Sequence, residues 1–213
     1  HSYGEGQFDV VKRSLERPDT SDWVEQPMYD FPMHHFVDLT DGDKGMAILV
    51  DGLKEYEVMP DEANTVAITL FRGFEYKINP AAPQDYSHEK GTQMLGKSSY
   101  RLAFYPHKGD WEQGAVYKEA YCFNYSLRLA QSGPLQGSLE GEASFLEVQP
   151  DDLVVSTLKK PEDPRFNGFV LRLFNPSEEE KTGVVRMNIK PRDVWKVTME
   201  EKYQERPEIL EDG

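Results

Sequence analysis

The segment 105–111 carries the densest group of polar and aromatic side chains in the sequence. Aromatic ring faces pack against the C–H surfaces of sugars, and carboxylate, imidazole and ammonium groups hydrogen-bond to sugar hydroxyls. This chemistry identifies four candidate residues for carbohydrate contact, His107, Lys108, Asp110 and Trp111. The sequence favours a connection from a strand to a helix, in which Gly109 makes the turn, Asp110 caps the helix and Trp111 anchors the core, with carbohydrate contact as the alternative.

A second candidate, at residues 41–45, combines two aspartates and a lysine with two glycines. Its acid density is that of a calcium loop, but the later glutamate that an EF-hand requires is missing. Asp-Gly between two apolar runs is typical of a hairpin, because glycine tolerates the positive φ that such turns need. The sequence therefore favours a hairpin turn, with sugar contact through Asp43 or Lys44 as the alternative.

The acidic residues and histidines form no catalytic or metal-binding pattern. Glycoside hydrolysis requires two carboxylates at a fixed separation, and among 38 acidic residues no pair stands out by its context. None of the five histidines begins an H-x-D or H-x-x-x-H motif. Neighbours on a strand point to opposite faces, so His34 and His35 are interpreted as a partly buried, hydrogen-bonded pair. We predict no catalytic residue and no metal ligand in this chain.

The acidic composition disfavours two classes of partner. A net charge of −14 and a pI near 4.8 oppose binding to nucleic acid and to anionic membrane surfaces, which attract basic patches. The longest apolar run, 46–50, is far shorter than the roughly 20 residues of a transmembrane helix. The single Cys122 permits no internal disulfide and suits a reducing compartment, so we expect a cytoplasmic protein.

Alternation of apolar and polar residues with a period of two dominates the chain and predicts an antiparallel β-sandwich or a barrel. The clearest strand, Thr65–Arg72, carries apolar residues on both faces, which predicts burial between two sheets. Further strands are predicted at 8–15, 35–39, 45–50, 54–59, 100–105, 144–148, 153–158, 168–174, 184–189 and 194–199.

Three segments depart from this pattern. Residues 111–123 place apolar side chains at helical spacing and predict a short helix. Residues 77–96 are rich in proline and glycine and predict a long loop, whereas the acidic segment 200–213 predicts a linker or tail. No internal boundary is visible, so 1–213 is interpreted as one domain. The start at His1, without a signal-peptide pattern, indicates a fragment of a longer protein.

Five blocks, in order along the chain, resemble the C-terminal region of glycoside hydrolase family 38. They are GEGQF (4–8), FVDLTDG with KGMAIL (36–49), YRLAFYPHKGDW (100–111), AYCFN (120–124) and FVLRLFN (169–175). The second is similar to the family's "W/F-V-D-L-S-D, then G-L-A-L-L" block, the third to "Y-x-L-x-P-H-x-G-x-(W/F)", the fourth to "A-Y-x-x-N" and the fifth to "V-L-R-L-(Y/F)-(N/E)".

The resemblance implies a large, galactose-mutarotase-like supersandwich that forms the non-catalytic C-terminal part of a retaining α-mannosidase. The bacterial and cytosolic members and the mannosylglycerate hydrolases look similar. The catalytic carboxylates and the zinc ion of such an enzyme belong to an N-terminal domain, so no catalytic or metal residue is carried over and no cofactor is expected here. The implied partners are that catalytic domain and a mannose-containing glycan. Loops of the family's sandwiches close part of the cleft, which makes Asp43, Lys44 and 107–111 the candidates for glycan contact.

Two alternative functions remain open from the sequence. A stand-alone carbohydrate-binding module would need an exposed row of aromatic side chains, for which Tyr105, Trp111 and Tyr117 are the candidates. An interaction sandwich without a sugar role would place its largest exposed apolar patch away from the candidate loops.

Overall fold

The computed structural model describes residues 1–73, 88, 90–138 and 141–210. The chain divides into two compact units, His1–Leu127 and Arg128–Gly213, and each sheet lies within one of them. All strand pairs of the described residues are antiparallel. The predicted all-β class is thereby confirmed. The interpretation of 1–213 as a single domain stays a prediction, and the two units are described separately.

Short strands in the described part of the first unit form two sheets. The strands are β1 (Ser2–Glu5), β2 (Val10–Arg13), β3 (Phe31–Pro32), β4 (Phe36–Thr40), β5 (Lys44–Val50), β6 (Glu55–Val58), β7 (Val66–Ile68) and β8 (Leu102–Lys108). One sheet has the order β2-β1-β4-β5-β8 and the other the order β3-β6-β7.

A hydrophobic core joins the two sheets of the first unit. Successive residues of a strand point to opposite faces, so Val37 of β4 and Ile48 of β5 share one face. The buried cluster consists of Met33, Val37, Ile48, Val50, Leu53 and Tyr56, with Phe31, Val58, Val66 and Ile68 packed against it. The fully buried Tyr56 keeps its hydroxyl satisfied, since Arg13 Nη1 donates to it over 3.2 Å. This arrangement is the predicted β-sandwich.

The opposite face of the five-stranded sheet is covered by the helix α1 (Val116–Asn124). Phe36, the β4 neighbour of Val37, meets the ring of Tyr117 edge-on at 5.9 Å. The helix begins five residues later than the predicted start at 111, because Ala115 adopts the left-handed conformation with φ 50°. Asp110 therefore does not cap α1. Its Oδ1 accepts from the backbone N–H groups of Glu112 and Gln113 and stabilises the preceding turn.

The hairpin at Asp41-Gly42-Asp43 is confirmed: β4 pairs with β5 from Phe36↔Leu49 to Thr40↔Gly45, and Gly42 has φ +99°. The prediction for Thr65–Arg72 is wrong in two respects. Only Val66–Ile68 pairs as a strand, and Phe71 is 60% exposed rather than buried between sheets. The strand is shorter and more exposed than predicted because β7 lies at the edge of its sheet, where it has a neighbouring strand on one side only.

The second unit contains three two-stranded sheets in its described part. Its strands are β9 (Leu146–Gln149), β10 (Val154–Lys159), β11 (Val170–Phe174), β12 (Val184–Met187), β13 (Lys196–Val197) and β14 (Tyr203–Glu205). The pairs are β9 with β12, β10 with β11 and β13 with β14. Strand β14 falls inside the segment 200–213 that the sequence predicts as a tail, so these three residues belong to a hairpin.

The long loop predicted at 77–96 lies largely outside the described residues. Within its described part, Lys90–Gln93 forms a single 3₁₀ turn.

Candidate functional site

The two loops predicted to contact sugar lie side by side at one end of the five-stranded sheet. Strand β5 pairs with β8 from Lys44↔Lys108 to Val50↔Leu102, so the hairpin tip and the end of β8 share an edge. The Gly109 N–H donates to the Asp43 carbonyl over 2.8 Å, and Thr40 Oγ1 donates to the Gly109 carbonyl over 2.8 Å. We call residues 41–44 and 108–113 the tip surface.

The six candidate side chains differ in their exposure. Asp43, Lys44 and Lys108 are exposed and Asp110 is half-buried. Trp111 is only 8% exposed, and the side chain of His107 only 3%. Trp111 therefore anchors the core, as the favoured interpretation of 105–111 states, and Gly109 makes the turn with φ +70°. The groups of the tip surface that can meet a ligand are the carboxylates and ammonium groups at its rim.

Beneath the tip surface lies a buried pair, Asp38 and His107. His107 Nε2 is 2.9 Å from Asp38 Oδ1, and the Asp38 side chain is fully buried. Asp38 Oδ2 has no hydrogen-bond partner within the described residues. Burial raises the pKa of the Asp38 carboxyl, and the hydrogen bond from His107 opposes this rise only in part.

Two glycines make room for the His107 ring. A Cβ on Gly45 would lie 2.2 Å from His107 Cε1, and a Cβ on Gly114 would lie 2.4 Å from Nδ1. The ring also stacks on Tyr105 at 5.8 Å, whose hydroxyl donates to the Gly114 carbonyl over 3.0 Å. The residues of the polar segment 105–111 thus serve first to join β8 to the turn before α1.

A second polar cluster lies at the other end of β4 and β5, around His35. His35 Nδ1 is 3.0 Å from both carboxylate oxygens of Glu5, and the His35 backbone N–H donates to Glu5 Oε2 over 2.9 Å. Glu5 is 1% exposed, whereas the side chain of His35 is 20% exposed. The predicted partly buried, hydrogen-bonded interpretation holds for His35.

Three tyrosines follow this cluster along α1, and we call Tyr117, Tyr121 and Tyr125 the tyrosine row. They are four residues apart, so they share one side of the helix. Ring centroids are 5.0 Å apart between Tyr117 and Tyr121 and 5.2 Å between Tyr121 and Tyr125. Exposure rises along the row, from 7% at Tyr117 to 62% at Tyr125. The sequence prediction chose Tyr117 alone, although the four-residue spacing was the signal for the others.

The hydroxyls of the inner tyrosines are neutral at physiological pH. Burial raises the pKa of Tyr117, and the nearby Glu5 carboxylate raises it further. Burial also raises the pKa of Tyr121. Each hydroxyl can therefore donate as well as accept a hydrogen bond.

Within the described ranges, no three His, Cys, Asp or Glu side chains are grouped so that they could hold a metal ion. No helix in this part of the chain combines the length and the hydrophobicity needed to cross a bilayer.

Comparison with protein families identifies two matching regions. The model described as "Glycosyl hydrolases family 38 C-terminal domain" matches residues 3–82. The model described as "Glycosyl hydrolases family 38 C-terminal beta sandwich domain" matches residues 152–212. The chain belongs to the C-terminal region of glycoside hydrolase family 38.

The relatives of this family 38 chain are much longer than the chain itself. A Halalkalibacterium halodurans protein named "Putative mannosylglycerate hydrolase" is 29% identical over 86% of the chain and 20% of the relative's length. Alpha-mannosidase 2C1 of Mus musculus is 27% identical over 79% of the chain, and the Homo sapiens protein of that name is 26% identical over 79%. The chain spans 14% of the length of these two proteins.

Solved structures support the fold across both units of the family 38 chain. An alpha-mannosidase from Enterococcus faecalis V583 superimposes with a TM-score of 0.73 at 24% identity and covers 89% of this chain. A family 38 protein from Enterococcus faecalis gives 0.67 at 22% identity, also over 89%. The chain covers 20% and 21% of these structures. At these identities the likeness bears on the fold alone.

The two family 38 matches fall on different units, 3–82 in the first and 152–212 in the second. Asp43, Lys44 and the Glu5–His35 pair lie inside the first match. The 107–111 loop and α1 lie between the two matched ranges.

Proposed function

We propose that this chain is the non-catalytic C-terminal part of a longer α-mannosidase that hydrolyses terminal α-mannosides. In this proposal the chain packs on an N-terminal catalytic domain and helps to shape its glycan cleft. The observation that carries the proposal is the match to two C-terminal family 38 models, in order, by a chain that spans a fifth or less of the length of its relatives. The names of those relatives supply the substrate class.

The tip surface is the proposed contribution to the cleft. Its exposed Asp43, Lys44 and Lys108 present charged hydrogen-bonding groups suited to sugar hydroxyls. Paired strands and the buried pair of Asp38 and His107 hold the surface from below. A site built on strands is positioned more exactly than one on a free loop.

A stand-alone carbohydrate-binding module is less well supported. Two of the three aromatic side chains expected to form its exposed row, Trp111 and Tyr117, are only 8% and 7% exposed. Buried rings cannot stack on a ligand, so the accessory role is favoured.

Hydrolysis of p-nitrophenyl α-mannoside in the presence of zinc tests the proposal. We expect activity from the longer protein and none from the 213-residue chain. Activity of the chain alone would contradict the proposal and would mean that the catalytic residues lie in or near the tip surface. Absence of activity from the longer protein would contradict the α-mannosidase assignment and return the stand-alone module as the better hypothesis.

Substitutions in the longer protein test the role of the tip surface. We expect Asp43→Ala and Lys44→Ala to change KM or kcat for α-mannosides, because both side chains are exposed at the hairpin tip. Lys54→Ala is the matched control, since Lys54 is also exposed but lies beyond the opposite end of β5. If all three variants have the same kcat and KM, the tip surface does not line the glycan cleft.

The zinc ion that the family resemblance implies does not fit the residues described. Among them there is no group of three side chains of the metal-binding types, whereas a catalytic zinc needs about three protein ligands. The proposal therefore assigns zinc to the catalytic domain. The single, exposed Cys122 suits the reducing environment of a cytoplasmic enzyme, and this location is part of the proposal.

A further inference from the structure

We propose that His35, Tyr121 and Tyr125 form a binding site for a hexopyranose, separate from the tip surface. The two sites lie at opposite ends of β5, whose seven residues span about 20 Å. The Val50 N–H donates to the His35 carbonyl at the far end of that strand. The inference goes beyond the proposed function, because it requires neither catalysis nor a catalytic domain.

The buried Glu5 carboxylate orients the polar group of this site. Carboxylate oxygens accept hydrogen bonds, so the His35 Nδ1 that faces both of them at 3.0 Å carries a proton. The backbone N–H of His35 donates to the same carboxylate and fixes the ring further. All hydrogen bonds of the His35 ring to described residues use Nδ1. Nε2 is therefore available for a hydrogen bond with a sugar hydroxyl, and a fifth of the side chain reaches solvent.

The apolar part of the site consists of two tyrosine rings beside this imidazole. The His35 ring is 5.4 Å from Tyr121 and 6.0 Å from Tyr125. Tyr125 exposes 62% of its surface, which leaves ring area for the C–H face of a sugar. Its backbone N–H donates to the Tyr121 carbonyl over 2.8 Å, so the residue is held at the end of α1. A preformed ring position lowers the entropy lost on binding.

The arrangement favours a sugar over an organic cation. A cation site encloses its ligand between ring faces or offers an unpaired carboxylate. Here Tyr121 and Tyr125 are tilted by 46° to each other, and the carboxylate of Glu5 is buried and engaged by His35. A hexopyranose instead needs what is present, namely an exposed ring face bordered by hydroxyl and imidazole groups that donate and accept.

Titration of the 213-residue chain with methyl α-D-mannopyranoside, followed by NMR of tyrosine and histidine ring signals, tests the site. We expect saturable shifts at His35, Tyr121 and Tyr125, with a dissociation constant in the millimolar range. Tyr125→Ala should weaken binding by about tenfold, while Tyr125→Phe retains the ring and most of the affinity. Tyr203→Ala is the matched control, since Tyr203 is 55% exposed and lies in the other unit.

Three results would overturn the site: no shift at these rings, equal shifts with glycerol, or shifts with choline but not with the mannoside. NMR shifts confined to residues of the tip surface would also contradict the proposed site. These outcomes are independent of the proposed function, which depends on hydrolysis by the longer protein. A chain that binds no sugar would leave the α-mannosidase assignment untouched, and an inactive longer protein would leave the binding site untouched.

Discussion

Asp38 and His107 show how a polar residue can be structural even where its neighbours could contact a ligand. Both side chains are almost completely buried on the face of the sheet that meets α1. The ring of His107 fills the space that Gly45 and Gly114 leave open. A buried pair of this kind makes stability depend on pH, because the environment changes the proton affinity of the carboxyl.

Replacing Asp38 with asparagine should change the pH dependence of stability. Burial raises the pKa of Asp38, so between about pH 3.9, the ordinary value, and the raised value this carboxyl binds more protons in the folded state than in the unfolded state. Its contribution to the free energy of unfolding must then fall as pH rises through this window, whereas a carboxyl with a lowered pKa, such as that of Glu201, contributes in the opposite direction. The asparagine side chain does not titrate and can still bond to His107 Nε2. Urea unfolding across this range should give a slope of the unfolding free energy against pH that is more positive for Asp38→Asn than for the unsubstituted chain, and identical slopes would contradict the prediction.

Adding a methyl group at Gly45 or Gly114 should destabilise the chain through His107. The new Cβ would lie 2.2 or 2.4 Å from atoms of this buried ring, and such overpacking costs about 1–3 kcal/mol. Urea unfolding measures the loss. Gly91→Ala is the control, because no described residue has an atom within 4 Å of the position that its Cβ would take. In a His107→Ala background the penalty at Gly114 should shrink, and an unchanged penalty would show that the ring is not the cause.

Residue types were easier to predict than their surroundings. The polar segment 105–111 drew attention because of its composition, but its alternation on β8 turns His107 inward and leaves Lys108 exposed. Glu5 and His35 are thirty residues apart and meet only because β1 and β4 are neighbours in the sheet. No local pattern reveals such a pair, whereas the spacing of the tyrosine row was readable from the sequence.

The side chain of Asn124 ties the C-terminal end of the helix α1 to the sheet. Asn124 Nδ2 donates to the Val50 carbonyl over 3.0 Å and to the Ala120 carbonyl over 2.9 Å. Asn124→Ala removes both bonds and should cost about 1–2 kcal/mol of unfolding free energy, measured by thermal or urea unfolding. Cys122→Ala on the exposed side of the same turn should change stability by less than about 0.5 kcal/mol. Equal effects of the two substitutions would mean that Asn124 does not fasten the helix.

Hydrophobic alternation located most strands because it reports which residues face a core. Alternation overestimated the length and the burial of the strand predicted at Thr65–Arg72, because apolar residues on both faces also occur on an edge strand. There Ile68 packs on the core while Leu70 and Phe71 remain 44% and 60% exposed. The helix start was misplaced for a local reason, because nothing in the sequence signals the left-handed backbone of Ala115.

At the scale of the molecule, the two units carry separate sets of sheets. The first holds the sandwich core, the tip surface and the proposed sugar site. The second holds, in its described part, three small sheets, one of which is the β13–β14 hairpin near the C-terminal end. Residues 125–138, at the boundary, are all exposed and contain no helix or strand. The sequence shows no composition change there, which is why one domain was predicted.

A chain that ends at Leu127 should fold without the second unit. It retains both sheets of the sandwich and α1, together with the whole buried cluster around Tyr56, and single cores of this size unfold cooperatively. We expect one urea transition and methyl signals of Val37 and Ile48 at the same NMR positions as in the 213-residue chain. A chain that ends at residue 98 loses β8 and α1 and should not fold, because Phe36 and Asp38 would lose their cover. Broad, shifted core signals in the longer of the two truncated chains would instead mean that the sandwich requires the second unit.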